Sequence, residues 1–104
     1  MTVSLFNRMQ VKDFDSWLNP NPAEVTQIMK SMGVLAFSLH RNQDDPNSLM
    51  LHYQFADEDT AKSFVTGYES MLQEYLKEHP GAEQEILEWW IGEDFDMTPY
   101  RQAD

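Results

Sequence analysis

Two segments of strict alternation flank a polar turn. Leu35, Phe37 and Leu39 precede Asn42-Gln43-Asp44-Asp45-Pro46-Asn47, and Leu49, Leu51, Tyr53 and Phe55 follow it. Successive strand side chains point to opposite faces, so a period of two on both sides of a turn reads as an antiparallel hairpin. One face is apolar throughout. The other carries Ala36, Ser38 and His40 on the first strand and Met50, His52 and Gln54 on the second, a mixed surface of the kind that lines a small-molecule cavity. Pairing Phe37 with Phe55, Leu39 with Tyr53 and Ser38 with Gln54 sets His40 opposite His52, where two imidazoles share a proton or a metal. A metal needs further ligands, and no HxH or HExxH spacing supplies them, so no metal site is assigned.

The remaining pattern completes the frame. Val3, Leu5, Asn7, Met9 and Val11 alternate with Ser4, Phe6, Arg8 and Gln10 as a first strand. Asp13 is a suitable N-cap for a helical turn carrying Phe14, Trp17 and Leu18, which Asn19-Pro20-Asn21-Pro22 interrupts. The helix restarts with Asn21 as cap, Pro22 at the first helical position and Glu24 in the first turn. It runs through Val25, Ile28, Met29 and Met32 to a stop at Gly33. Ala56-Asp57-Glu58-Asp59-Thr60 opens a long helix bearing Ala61, Phe64, Val65, Tyr68, Leu72, Tyr75 and Leu76 until Pro80-Gly81. Ile86 to Ile91 supplies a last strand. The order β-α-β-β-α-β predicts an α+β fold, two helices covering one face of a four-stranded antiparallel sheet. The uncovered face still carries Phe6, Met50 and one ring of Trp89-Trp90, so face-to-face pairing of two copies is expected.

Composition narrows the function. At 104 residues the chain fits one domain, 1–104, with a core over about 3–92 and an acidic tail over 93–104. Eighteen acidic against seven basic residues give a charge of −11, which repels phosphate backbones and anionic lipid, so neither nucleic acid nor membrane is expected as a partner. The absence of cysteine removes disulfides and thiolate chemistry. Met1-Thr2-Val3-Ser4 leads straight into alternation without a basic n-region or long apolar run, and the expected location is cytoplasmic. The four glycines form no phosphate-binding cluster, and no cofactor is expected. Ser38 beside His40 lacks both a third orienting group and an elbow such as GxSxG. Arg8, mid-strand among apolar neighbours, needs an anion: a ligand oxyanion or a cross-strand acid such as Glu88.

Several stretches in their order carry a resemblance. Phe6-Asn7-Arg8, Asp13-Phe14-Asp15-Ser16-Trp17, Met32-Gly33-Val34, Arg41 to Asn47, and Phe55 to Phe64 together resemble the dimeric α+β barrel proteins of the antibiotic-biosynthesis-monooxygenase superfamily. The likeness spans Val3 to Leu76; the Asn-Pro-Asn-Pro break and the acidic tail depart from it. It implies a ferredoxin-like protomer, a homodimer and a pocket at the sheet-to-helix junction. Cofactor-independent oxygenases of that superfamily combine Asn, Trp, Tyr, His and Arg around an aromatic substrate that supplies its own carbanion, and Asn7 and Arg8 match by position. Haem degradation fits less well, because His79 abuts Pro80 at a helix end. The resulting expectation is a small-molecule-binding dimeric barrel, a cofactor-independent monooxygenase or isomerase acting on an aromatic or enolisable metabolite. His52, His40 and Arg8 are the catalytic candidates; Phe6, Ser38, Met50, Gln54 and Trp89 are the ligand-binding ones. In that scheme a histidine removes a proton and Arg8 stabilises the oxyanion. The alternative is a non-enzymatic ligand-binding or assembly module.

Overall fold

The computed structural model describes residues 2–18 and 22–96. Its elements are β1 (Val3–Val11), α1 (Phe14–Trp17), α2 (Pro22–Ser31), β2 (Ala36–Arg41), β3 (Ser48–Phe55), α3 (Glu58–Glu78), a 3-10 turn at Pro80–Ala82, and β4 (Gln84–Glu93). The strands form one antiparallel sheet in the order β2-β3-β1-β4. None of the helices described is long and apolar enough to cross a membrane.

Local chemistry accounts for the element ends. The Asp13 carboxylate accepts from the Ser16 backbone N–H at the start of α1, and Asp57 accepts from that of Thr60 at the start of α3. Pro22 is the first helical residue of α2. The break between α1 and α2 is present as expected; Asn19, Pro20 and the Asn21 cap lie outside the described residues. Gly33 takes a positive φ of 85°, and a Cβ there would fall 2.5 Å from Thr60 Cγ2. Glycine thus both turns the chain and lets it pass against the start of α3.

The helix-facing row of β1, Val3, Leu5, Asn7, Met9 and Val11, is buried, and it joins Leu49, Leu51, Tyr53 and Phe55 of β3 and Ala61, Phe64, Tyr68 and Leu72 of α3 in one core. Phe64 lies at its centre, with rings of Tyr53, Phe55 and Tyr68 within 5.6 Å.

Two registers differ from expectation. Ser38 pairs with His52, Phe37 with Tyr53 and His40 with Met50, so His40 and His52 share a face but are not opposite one another. Turn chemistry sets the offset: the Asn42 side chain accepts from the Asp44 and Asp45 N–H groups and its backbone N–H bonds Ser48, closing the hairpin two residues tighter than the Phe37–Phe55 pairing requires. In β4 the register shifts between Arg8–Glu88 and Met9–Ile86, leaving Leu87 as a bulge. Ile86 and Trp89 therefore both join the helix side, while Glu88 and Trp90 lie on the other face.

Candidate functional site

α2 has an apolar stripe, Val25, Ile28 and Met29, yet no fully buried residue. It stands off the sheet, and the space between is a cavity of about 260 Å³. Its walls come from that stripe, from Leu39, Leu51 and Tyr53 of the sheet and from Tyr68, Leu72 and Tyr75 of α3, joined by Trp17 and Gln84. Leu18 and Phe37 also line it and are exposed, so it opens to solvent on their side. This is the sheet-to-helix junction that the resemblance implies.

The lining is apolar with a few placed polar groups. Trp17 Nε1 and the Tyr75 hydroxyl are buried with no hydrogen-bond partner, a costly condition for either group that a ligand would relieve. The Tyr68 hydroxyl donates to Gln84 Oε1. Burial pushes the Tyr53 hydroxyl far above its ordinary value, partly opposed by Asn7 and Tyr68, and burial raises Tyr68 likewise. Both therefore stay protonated donors at neutral pH. Behind Tyr53, Asn7 is fully buried; it acts on the Tyr53 hydroxyl, yet neither of its amide atoms reaches hydrogen-bond geometry. Among the described residues, none that lines it is a carboxylate, imidazole or amine. These groups can bind and orient oxygen-bearing groups, and the described lining offers no general base.

The sequence candidates fall elsewhere. Phe6, Arg8, Ser38, His40, Met50, His52 and Gln54 share the sheet face that none of the described helices covers. Trp89 is separated from them: it lies on the helix side, edge-on to Tyr68 at 5.1 Å and to Phe64 at 6.2 Å. Arg8 pairs with Glu88 at 3.5 Å, the cross-strand acid expected from the sequence. These two, with Phe6, Met50 and Trp90, line a hollow of about 210 Å³. His52 stacks on Phe6, centroids 4.6 Å apart and planes within 9°, and its Nε2 is 2.8 Å from the Ser4 hydroxyl. Ser4 gives its only proton to Asp94, so Nε2 of His52 donates to the Ser4 oxygen. His40 is exposed and its Nε2 is 2.9 Å from the Ser38 hydroxyl. Gln54 donates to Asp94 at 3.3 Å.

Trp17, Tyr53, Tyr68, Tyr75 and Gln84 are absent from the sequence-derived set. One signal was available: Asn7, the lone polar residue in the inward row of β1.

Solved structures to which the chain is similar include the following. One is a dimeric ferredoxin-like protein from an uncultured marine organism, at 17% identity over 88% of this chain and 92% of that chain, TM-score 0.56. Another is SnoaB, a cofactor-independent oxygenase from Streptomyces nogalater, at 17% identity over 94% and 97%, TM-score 0.57. The third is HapK from Hahella chejuensis, at 13% identity over 89% and 92%, TM-score 0.51. The fold is that of the dimeric ferredoxin-like proteins. At these identities the likeness is one of fold, in agreement with the resemblance read from the sequence. No family model matches the chain, and no curated protein matches it.

Proposed function

We propose that the chain is a homodimeric small-molecule-binding protein whose ligand occupies the cavity between α2, α3 and the sheet. The ligand is a mostly apolar, ring-bearing molecule of the phenol, quinone or enol class, with one oxygen accepting from Trp17 Nε1–H and another polar group meeting the Tyr75 hydroxyl. The observation that carries this reading is the pair of unpartnered buried polar atoms in an apolar cavity. The finer form is cofactor-independent monooxygenation, which the likeness to SnoaB supports. A CH2 group beside a carbonyl loses a proton to water, the described lining offering no base; its carbanion reduces O2, one oxygen stays as C=O, and the other leaves as water with the two hydrogens.

The uncovered sheet face is proposed as the dimer contact, since a surface bearing Phe6, Met50 and Trp90 is poorly suited to water. His52, His40 and Arg8 form the alternative catalytic set, favoured by the hollow beside Arg8. A thermal-shift screen against quinones, polyketide-like phenols and haem tests the assignment, because a ligand of the native state raises the melting temperature. For the best hit, Trp17→Phe is expected to weaken affinity about 2- to 10-fold, the equivalent of one hydrogen bond, with His52→Ala neutral. The reverse pattern would move the site to the open face.

A further inference from the structure

The start of α2 and the end of α3 bring together three side chains that the cavity does not use. Glu24 lies in the first turn of α2, Glu78 is the last residue of α3, and His79 is its C-cap. One potential ligand atom from each lies within 4.8 Å of the other two. His79 Nε2 is 3.2 Å from a Glu24 carboxylate oxygen, close to the ligand-to-ligand separation that bonds of about 2.0–2.2 Å impose in a tetrahedral shell. Two carboxylates converging in a chain of net charge −11 repel each other and draw cations in. An imidazole in the set selects a borderline transition metal over calcium or magnesium, which take oxygen ligands. The Tyr75 ring packs against the imidazole at 4.5 Å and restricts its plane, and the unpartnered Tyr75 hydroxyl is close enough to Glu24 to feel its charge.

The geometry points to a site for a zinc-class divalent cation formed by Glu24, Glu78 and His79, pinning the first turn of α2 to the end of α3 beside the cavity. Three protein ligands leave a fourth position for water. α2 has no fully buried residue, so a cross-link at its first turn sets how far this wall stands from α3.

Calorimetric titration of the full chain with zinc chloride tests the site. The wild type is expected to take one equivalent saturably and to give no comparable response with magnesium. His79→Gln and Glu24→Gln are each expected to weaken zinc binding by more than about tenfold, since even outer-shell partners of metal ligands are worth about 10–100-fold. A His40→Gln, His52→Gln double variant is expected to retain it. Zinc should also slow amide exchange across Pro22–Ser31 of the wild type. If a variant lacks the wild-type circular dichroism, imidazole NMR of the wild type decides, His79 shifting first. No saturable zinc uptake, full binding by His79→Gln, first shifts at His40 or His52, or unchanged exchange in α2 would each overturn the proposal.

Discussion

Asn7 departs furthest from its surroundings. Its row was legible as the buried face of β1 from alternation alone, but an amide in the middle of that row costs about 1–3 kcal/mol when its atoms lack partners. Asn7→Val, an apolar replacement close to it in size and suited to a strand, is expected to raise stability by about 1 kcal/mol in urea unfolding and to lower affinity for cavity ligands, because Tyr53 loses its polar neighbour. A stability loss would mean that the amide is satisfied in solution. Asp94 carries a different expectation. Hydrogen bonds from Ser4 and Thr2, then Gln54, hold its carboxyl below the ordinary range. A carboxyl lowered on folding contributes stability above its unfolded value, near 3.9, and that contribution is lost as pH falls through the lowered folded value. Asp94→Asn should therefore flatten the acid side of the stability profile, as measured by urea midpoints between about pH 2 and 6. None of this is legible in the sequence alone, because Thr2, Ser4 and Gln54 reach Asp94 only after β1, β3 and β4 pair.

The boundaries of the elements were largely readable from neighbouring residues. Asp13, Pro22 and Gly33 each act through atoms a few positions away, and each does in the structure what its residue type predicts. The Leu87 bulge was not readable, since it exists only relative to β1. Gly33→Ala is expected to destabilise by about 1–2 kcal/mol from the left-handed backbone alone, with more from the contact to Thr60 Cγ2. A thermal midpoint equal to the wild type would show that the α2–β2 connection can relax away from α3. α2 itself, with an apolar stripe but no fully buried residue, is expected to exchange its amides faster than the Phe64–Leu72 stretch of α3, and bound cavity ligand should reduce the difference.

For the molecule as a whole, the two sheet faces divide the work. One is closed by α3 and the core; the other leaves Trp90 56% and Met50 37% exposed, with the Trp90 ring lying over Gly92, where a Cβ would collide with it. Light scattering at micromolar concentration is expected to report a dimer, and Met50→Glu to shift it to monomer, since a charge at the centre of such a face is buried without a partner. A wild-type monomer would remove the open face from the assembly. Strand parity, helix stops and element order depend on contacts between residues close along the chain, and for that reason they could be read from the sequence of this protein. The hairpin offset set by Asn42, the parity change at Leu87 and the cavity holding Trp17, Tyr53 and Tyr75 depend on how far non-adjacent elements stand from one another. That spacing is settled by packing: Phe64 and its neighbours draw α3 onto the sheet, while α2 has no comparable anchor and leaves the space between them open.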